Sequence, residues 1–555
     1  MSATPGILYV TMGPKPSLSI AQFHDWYQNE HGPGRLRLPQ IFTNGFRYKG
    51  TDGEDPEWMA VYDCTDMAYM MKDVYTRLRK DPIQSQRERD TMKQIVVNRK
   101  FYDLVSEKSS AEFKNLEKVE YEGKAENVLV VALVTLKDPS KVAEFDKWNE
   151  EEHIPMLTKV PGWRRTRRFV TSHVEPAKNP GETEHLALHE YAPENGLGGP
   201  EFKAAISTPW RQEVFANIIG DKKRRVYNLY YTFGPAPRDL KSLADSAAVP
   251  FQSDFHRTTS HPESDASKWP AIESYILTPD GVPLSYRLEG STDAQAPMVV
   301  LCNSILTEYG IWDSFVQEFL SNPENKKYRI LRYMKRGRYS YDSDVPVTVD
   351  LLATDVISIL DALRVPKAAA VIGVSLGGAT SLNVALKYPD RVNAFIACDT
   401  NAVVPPSNPK AWGERIEICE KEGTKSESGE PIVGEELAEV TTRRWFVKES
   451  YEDPILAKEA ERVKQMVKSN SLEGFRKSVK ALYQYDFREE MKSGTVKGAF
   501  VVGGGDGVLP KTMEGMKDGY ADGKSGFYII DQAGHLPMVE QPVEFAKVVS
   551  KILNE

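Results

Sequence analysis

Residues 368–386 read AAAVIGVSLGGATSLNVAL, and this stretch decides the fold of the second half of the chain. The apolar residues 368–372 predict a buried strand, and the apolar run after Gly378 predicts a helix. Between them lies a G-x-S-x-G pattern, whose glycines permit a tight strand-to-helix turn that exposes Ser375 at the sheet edge. In this context the pattern indicates a nucleophilic serine, and the alternative is a turn without chemistry.

A serine nucleophile needs a base, and His535 is the only histidine after residue 270. It follows the predicted strand 527–531. The orienting carboxylate is predicted to be Asp506, directly after the predicted strand 499–502, with Asp531 as the alternative. The resulting chain order of serine, aspartate and histidine is the order expected when a nucleophile elbow starts the set.

An oxyanion formed by attack of Ser375 on a carbonyl needs two amide donors. One is expected to be the N–H of Leu376. The other is expected to be the N–H of Ile305, in the loop after the apolar strand 298–301. Asn303 and Ser304 of that loop either bind the substrate or stabilise the loop.

Alternating strands and helices from residue 271 onward predict a parallel sheet covered by helices on both sides. Residues 401–495 are expected to form helices of a cap over Ser375. Within this cap, Arg444 and Trp445 are candidate substrate-binding residues. Arg444 is suited to anchor a carboxylate, because a guanidinium binds a carboxylate in bidentate fashion. The alternative for Arg444 is a salt bridge within the cap.

The first half of the chain contains an internal repeat, which must be found before a fold is assigned. Residues 23–31 read FHDWYQNEH and residues 145–153 read FDKWNEEEH, so that Phe, Trp, Glu and His recur at the same spacing. The order of strand, helix, strands, helix and strand around each copy suits a duplicated α+β domain. Glu30 with His31, and Glu152 with His153, are candidate acid–base pairs, or else buried pairs that satisfy each other.

The amino-acid composition excludes some classes of function. The 555 residues carry a net charge of −8, which makes nucleic acid and anionic membranes poor partners. Four cysteines without a C-x-x-C pair suit a reducing, cytoplasmic location. We expect no metal, no cofactor and no membrane association, and the expected partner is a small-molecule carbonyl compound, aromatic ones included. The oligomeric state stays open, homo-oligomers included.

Residues from about 272 to 553 resemble an α/β-hydrolase and, within that superfamily, 3-oxoadipate enol-lactonases. The motifs that carry this resemblance are residues 301–307 before Trp312-Asp313, residues 331–337, the G-x-S-x-G turn, Arg444-Trp445-Phe446, and Gly534-His535. The resemblance implies a helical cap and a hydrolase of the carboxylic ester or lactone class.

Residues from about 6 to 235 resemble EthD-type, ferredoxin-like domains of the dimeric α+β-barrel superfamily, through the Phe-x-x-Trp-x-x-x-Glu-His helix. That superfamily includes cofactor-free enzymes acting on aromatic polyketides. The expected fold class is therefore α+β tandem ferredoxin-like repeats, an internal pseudo-dimer, followed by an α/β-hydrolase fold with a helical cap. The expected domains are the repeats 1–120 and 121–235, a linker 236–270, and a hydrolase domain 271–555.

The leading functional hypothesis is a serine hydrolase that acts on an ester, lactone or enol-lactone through a Ser-His-Asp triad. A second hypothesis is a cofactor-free lactonase or cyclase, or a C–C cleaving or decarboxylating enzyme, acting on an aromatic or polyketide-derived substrate. A third is a binding or scaffold protein with a vestigial triad.

Overall fold

The computed structural model describes residues 3–115, 127–174, 183–246, 251–253, 257–262 and 269–555. The chain divides into two compact units, Met1–His256 and Arg257–Glu555. The predicted boundary between the repeats, at residues 120 and 121, lies outside the described residues.

The first unit is built on a closed antiparallel barrel with the strand order β1-β3-β2-β8-β5-β7-β6-β4. Its strands are β1 Gly6–Pro14, β2 Phe42–Gly50, β3 Trp58–Cys64, β4 Ile95–Ser109, β5 Val128–Leu136, β6 Trp163–Thr171, β7 Glu184–Tyr191 and β8 Ile219–Thr232. Each half contributes four neighbouring strands, and the two halves join where β2 pairs with β8 and β4 pairs with β6. The assignment of the halves as ferredoxin-like EthD-type repeats stays a prediction.

Alternation along the strands gives the barrel two apolar layers. Ile7 and Tyr9 belong to an inner cluster that also takes in residues of the second half, such as Leu129 and Phe169. Leu8 and Val10 belong to the cluster that covers the outer face of the first half. The helices of this unit are α1 Ile20–Trp26, α2 Gly32–Leu36, α3 Asp73–Thr76, α4 Gln86–Lys93, α5 Val142–Trp148, α6 Ile154–Leu157, α7 Pro200–Ala205, α8 Pro209–Asn217 and α9 Leu240–Asp245.

The repeated Phe-x-x-Trp helix is interrupted by a π-helical turn in both copies. Residues Tyr27–His31 and Asn149–His153 adopt this turn, with Gly32 donating to the Tyr27 carbonyl and Ile154 to the Asn149 carbonyl. The i, i+3, i+4, i+7, i+8 spacing of residues 23, 26, 27, 30 and 31, and of their counterparts 145, 148, 149, 152 and 153, predicts one α-helical face in each copy instead. The extra residue in the turn rotates the next helical residues by roughly 100° relative to an α-helix. π-Turns of this kind occur often at functional sites.

The predicted linker 236–270 is only partly a linker. It contains α9 and two short strands, β9 Phe251–Ser253 and β10 Thr258–His261, and β10 pairs with the next strand of the chain. Asp239 caps α9 by accepting from the Ser242 amide at 3.0 Å, and its own amide donates to Asn29 Oδ1 at 2.9 Å. Asp239, a polar residue of the predicted linker, is therefore used in capping. Residues 247–250, 254–256 and 263–268 lie outside the described part.

The second unit has an α/β-hydrolase fold, as the sequence predicted. Its sheet runs β18-β17-β16-β15-β13-β14-β12-β11-β10, antiparallel from β10 to β14 and parallel from β14 to β18. The strands after β10 are β11 Ala271–Leu277, β12 Pro283–Gly290, β13 Met298–Cys302, β14 Arg329–Tyr333, β15 Ala370–Val374, β16 Ala394–Cys398, β17 Lys497–Gly503 and β18 Gly526–Ile530. The carboxyl ends of the parallel strands meet at one edge, where such folds bind ligands.

Helices cover this sheet, and several of them lie in the segment predicted to be a cap. They are α10 Asp313–Ser321, α11 Val349–Ala362, α12 Leu376–Lys387, α13 Asn408–Glu422, α14 Glu435–Trp445, α15 Pro454–Lys468, α16 Leu472–Ser478, α17 Arg488–Lys492, α18 Leu509–Gly519, α19 Pro537–Glu540 and α20 Pro542–Asn554. Helices α13 to α17 connect β16 to β17. Across the described ranges, no helix combines the length and the apolar character needed to cross a bilayer.

Candidate active site

Ser375 occupies a strained turn between β15 and α12. Its φ of 57° and ψ of −117° lie in a region that non-glycine residues rarely adopt. A Cβ atom at Gly373 would overlap the Gly377 carbonyl, and one at Gly377 would overlap the Cys302 carbonyl. Both glycines are thus needed for the close packing of this turn, which leaves Ser375 more exposed than its buried neighbours.

His535 and Asp506 form a hydrogen-bonded pair at the same edge of the sheet. The distance between His535 Nδ1 and Asp506 Oδ2 is 2.7 Å, and both side chains are largely buried. A carboxylate can only accept, so Nδ1 carries the proton and Nε2 is left as the basic nitrogen. Asp531, the alternative acid in the sequence, is exposed. Asp506 is therefore the carboxylate that contacts His535.

Trp445 packs against the imidazole from the end of α14. The two rings are stacked with centroids 5.6 Å apart, and the His535 amide donates to the Trp445 carbonyl at 2.7 Å. Trp445 is buried, and its indole Nε1 has no hydrogen-bond partner among the described residues. Trp445 thus fixes the imidazole, and its indole N–H remains available to a ligand.

The two predicted oxyanion donors lie on adjoining segments. Leu376 is the first residue of α12, where an amide has no carbonyl one turn earlier. Ile305 is buried in the turn after β13, next to Leu306 with a φ of 65°. The overlap that a Cβ at Gly377 would make with Cys302 and Asn303 shows that these two segments touch.

Asn303 and Ser304 differ in how their side chains are used. Asn303 donates to the Tyr333 carbonyl at 2.9 Å and accepts from Trp312 Nε1 at 3.0 Å, so both ends of its amide hold the loop. Ser304 is fully buried, and its hydroxyl has no partner among the described residues. Of the two alternatives that the sequence left open, Asn303 fits loop stabilisation and Ser304 fits ligand binding.

Arg444 lies in the last turn of α14 and is exposed. No carboxylate of the described chain forms an ion pair with it. The surrounding protein partly desolvates the guanidinium of this exposed residue and so lowers its pKa, against the opposing effect of the Asp506 charge. The charge of Arg444 in turn contributes, after burial, to lowering the pKa of Arg415. Arg444 therefore lies near both Arg415 and Asp506, and the lack of an ion pair to it in the described chain argues against the salt-bridge alternative.

Asp399 is a residue of this site that the sequence analysis missed. It follows β16, is fully buried, and accepts from the Gly503 amide at 2.9 Å through Oδ1. One carboxylate oxygen of Asp399, one of Asp506 and one ring nitrogen of His535 lie within 4.8 Å of one another. Burial first, and the Asp506 charge second, raise the pKa of Asp399 well above its usual value. Its Oδ2 meets no donor, so a protonated Asp399 that donates to Asp506 satisfies both groups.

This triplet could be mistaken for a metal site, because two carboxylates and a histidine converge. However, His535 Nδ1 and Asp506 Oδ2 are already joined by a hydrogen bond. The arrangement fits a shared proton better than a bound cation.

Replacement of Asp399 by asparagine is expected to change how stability depends on pH. The folded state holds the Asp399 proton above the unfolded pKa of 3.8, so the free energy of unfolding of the wild type falls as pH rises from there towards the raised folded pKa. Asparagine does not titrate and removes this contribution. Calorimetric melting across this window should show the variant gaining stability relative to the wild type as pH rises. Asp531→Asn, at an exposed site, serves as the control, and parallel pH curves for wild type and Asp399→Asn would contradict the assignment.

In the N-terminal unit, the structure gives each predicted acid–base pair a different arrangement. His31 Nδ1 lies 2.8 Å from Glu88 Oε1 of α4, whereas Glu30 accepts from the Ser85 hydroxyl. His31 is thus paired with Glu88, and Glu30 and His31 do not satisfy each other. Glu152 accepts from Trp148 Nε1 and from Thr208, and the His153 Nδ1 has no partner among the described residues.

Comparison with known proteins agrees with the α/β-hydrolase fold of the second unit. Residues 299–548 match the sequence model of the alpha/beta hydrolase family. The chain is 27% identical over 287 residues to 3-oxoadipate enol-lactonase 2 of Acinetobacter baylyi, an alignment that covers 50% of this chain and 96% of that enzyme. It is 28% identical over 281 residues to 3-oxoadipate enol-lactonase 1 of the same organism, with 50% and 96% covered.

Solved structures give a similar picture. The crystal structure of the enol-lactonase from Burkholderia xenovorans LB400 has 25% identity and covers 51% of this chain and all of that chain, with a TM-score of 0.44. A hydrolase from Pseudomonas aeruginosa has 28% identity and covers 51% of this chain and 98% of that chain, with a TM-score of 0.43.

Proposed function

The C-terminal half of the chain is an α/β-hydrolase that resembles 3-oxoadipate enol-lactonases, and from this premise we propose that it is a serine hydrolase of esters, lactones or enol-lactones with Ser375, His535 and Asp506 as its triad. The observation that carries the assignment is the 2.7 Å contact of His535 Nδ1 with Asp506, beside the strained turn that presents Ser375. The role proposed for each residue follows from the general chemistry of a Ser-His-Asp triad.

In the proposed mechanism, His535 Nε2 takes the hydroxyl proton of Ser375 while Ser375 Oγ attacks the substrate carbonyl carbon. The negative charge that develops on the carbonyl oxygen is stabilised by the N–H groups of Leu376 and Ile305. Collapse of this intermediate breaks the acyl–oxygen bond, and the leaving oxygen takes the proton from His535. Water then attacks the acyl-enzyme, again giving its proton to His535, which returns the proton to Ser375 as the acid is released.

A substrate with a carboxylate group suits the cap side of the site. Arg444 is exposed without a carboxylate partner in the described chain, and Arg415 lies near enough for their charges to interact. A guanidinium without a counter-ion favours an anionic ligand, and a bidentate carboxylate is the geometry it binds best. The hydroxyl of Ser304 and the indole N–H of Trp445 are further groups that a ligand could satisfy.

The proposal is tested by intact-mass analysis of the wild-type protein after treatment with a fluorophosphonate, together with the hydrolysis of p-nitrophenyl acetate. One adduct per chain, mapped to the peptide that contains Ser375, and measurable ester hydrolysis are expected. A folded protein that neither forms the adduct nor hydrolyses the small ester would overturn the proposal, because p-nitrophenyl acetate is small enough to pass a closed cap.

Replacement of Arg444 by glutamine is expected to raise KM for a carboxylate-bearing substrate, such as p-nitrophenyl hydrogen succinate, by about tenfold, which corresponds to one lost charge-assisted hydrogen bond. The effect on the neutral p-nitrophenyl acetate should stay within about twofold. The matched control is Arg443→Gln, because Arg443 is the neighbouring exposed arginine and pairs with Glu439. Equal changes in KM for both substrates would show that Arg444 does not bind a carboxylate.

We also propose that the N-terminal barrel is a fused pair of EthD-type, ferredoxin-like repeats. The support is the strand order, since β4-β1-β3-β2 and β8-β5-β7-β6 each place the fourth strand beside the first, followed by the third and the second. The sequence repeat around Trp26 and Trp148, with its π-turn in both copies, supports the same conclusion.

A further inference from the structure

The first half of the N-terminal barrel contains a cavity of about 400 Å³ that the hydrolase chemistry does not use. It lies between the outer face of the sheet and the helices of that half. Aromatic and aliphatic side chains, including Trp26, Tyr27 and Tyr75, form part of its wall. A volume of this size falls within the usual range of small-molecule sites. The cavity can therefore hold a ligand with one or two aromatic rings.

His31 and Glu88 form a hydrogen-bonded pair of polar side chains in the cavity wall. The Glu88 carboxylate accepts from Trp26 Nε1 at 2.6 Å and contacts His31 Nδ1 at 2.8 Å, so both of its oxygens are occupied. The charge of Glu88 at Nδ1 places the histidine proton there and leaves Nε2 as an acceptor. His31 lines the cavity, and burial lowers its pKa, so that its ring is neutral at neutral pH. The pair thus offers one fixed acceptor to a ligand.

Three arginines, Arg35, Arg79 and Arg99, line the same cavity. Within the described part of the chain, none of them forms an ion pair with a carboxylate. Burial and the neighbouring charges of Arg99 and Arg35 together lower the pKa of Arg79. The Glu88 carboxylate offsets part of the charge of Arg35, but Arg79 is still affected by the charges of Arg99 and Arg35, and an anionic ligand removes that repulsion. The cavity is therefore suited to an anion.

Three buried polar atoms of the wall have no hydrogen-bond partner among the described residues. They are the hydroxyl of Tyr75, a residue that is 1% exposed, the Nε of Arg35 and the Oε2 of Glu30. Buried polar groups are normally hydrogen-bonded, so unpartnered ones in a cavity wall point to a ligand. Glu30 also lines the cavity, and burial raises its pKa to about 8. Glu30 is thus largely uncharged at neutral pH and does not repel an anion.

The corresponding cavity in the second half is much smaller, at about 70 Å³. It is lined by His153, His185 and His189 but by no carboxylate, and the His153 ring stacks on Trp148 with centroids 4.5 Å apart. The polar and basic groups that would receive a ligand therefore occur together in the first half.

We propose that the cavity beside His31 is a second small-molecule site, which binds a hydroxylated aromatic carboxylate. Its carboxylate is bound by Arg35, Arg79 and Arg99, and its ring packs against Trp26 and Tyr75. Its hydroxyl donates to His31 Nε2, which Glu88 holds in the accepting tautomer. The site lies wholly within the first unit and does not depend on the hydrolase assignment.

The test is isothermal titration calorimetry of the full chain with 6-hydroxy-2-naphthoate, compared with 2-naphthoate and with the neutral 2-naphthol. The hydroxynaphthoate is expected to bind with a stoichiometry of one, and 2-naphthol at least about tenfold more weakly, since it lacks the charge-assisted hydrogen bonds. Binding of 2-naphthol as tight as that of the naphthoates, or no binding of any of them, would overturn the proposal.

Substitutions of single arginines test where the ligand binds. Arg99→Gln should weaken binding of both naphthoates by about tenfold without affecting 2-naphthol, as expected for the loss of one charge-assisted hydrogen bond. The control Arg77→Gln, at an exposed arginine outside the cavity, should leave all three unchanged. Arg444→Gln should also leave them unchanged, and a loss of naphthoate binding there would move the ligand to the hydrolase site and refute the proposal.

The hydroxyl contact is tested by His31→Phe, which keeps a ring and removes the acceptor. The readout is the ratio of the Kd values of 2-naphthoate and 6-hydroxy-2-naphthoate within the same variant, so a general loss of packing cancels. This ratio should be about tenfold in the wild type, the value of one good hydrogen bond in a closed site, and should fall to about one in the variant. An unchanged ratio would refute the contact with His31.

Discussion

Replacement of Ser375 by alanine is expected to abolish the fluorophosphonate adduct and to lower kcat for ester hydrolysis by about 10⁴-fold or more, the scale seen when a triad nucleophile is removed. The hydroxyl is the only group of the proposed triad that forms a bond to the substrate, so no neighbouring side chain replaces it. The residual rate should come from the oxyanion donors and from binding alone. Intact mass and initial rates on p-nitrophenyl acetate measure both effects.

The fold should survive this substitution, because an alanine side chain fits in the turn and does not disturb the packing around it. Ser381→Ala is the matched control on the same helix. The Ser381 hydroxyl donates to the Gly378 carbonyl at 2.9 Å and is fully buried, so its removal is expected to cost about 1 kcal/mol of stability and leave the adduct intact. An adduct that persists in Ser375→Ala would identify another nucleophile and refute the assignment.

Asparagine at position 506 is expected to lower kcat by about 10⁴-fold, whereas asparagine at position 399 should change it by less than about tenfold. An amide at 506 can donate to His535 Nδ1, which stabilises the tautomer protonated on Nε2 and leaves no base for Ser375. An amide at 399 still accepts from the Gly503 amide and donates to Asp506, so it reproduces the contacts of a protonated Asp399.

The two substitutions are chemically identical and a few ångströms apart, so each is the control of the other. Steady-state kinetics at a fixed pH, together with melting temperatures, separate catalysis from stability. If Asp399→Asn lost as much activity as Asp506→Asn, Asp399 would be the orienting acid, and the assignment drawn from chain order would be wrong.

Sequence reasoning found most of the candidate site because its signals are local. The turn around Ser375 is specified by glycines within two residues of it, and a single histidine after residue 270 left no choice of base. The roles proposed for Ser375, Asp506 and His535 nevertheless remain predictions until they are measured. The fold of the second unit was predictable for a similar reason, since short apolar strands alternate with helices along the chain.

The features that the sequence did not reveal depend on contacts between distant segments. Asp399 gains its role only because β16 lies beside β17, although its position directly after an apolar strand was a signal that could have been used. Glu88 lies 57 residues from His31, and the π-turn Tyr27–His31 has no sequence signature that we recognise. The role of Asn303 could not be decided from the sequence. Its hydrogen-bond partners, Tyr333 and Trp312, lie further along the chain, and the sequence alone does not show that they contact it.

The closed barrel has a consequence for how its two halves can change. In a pair made of two identical chains, every substitution appears twice, so a mutation that opens a cavity on one side also opens it on the other. Here β2 pairs with β8 and β4 pairs with β6 within one chain, so each half accumulates substitutions separately. The contrast between a cavity of about 400 Å³ and one of about 70 Å³ is the divergence that such a fused arrangement permits. One half is free to specialise while the other preserves the closed barrel.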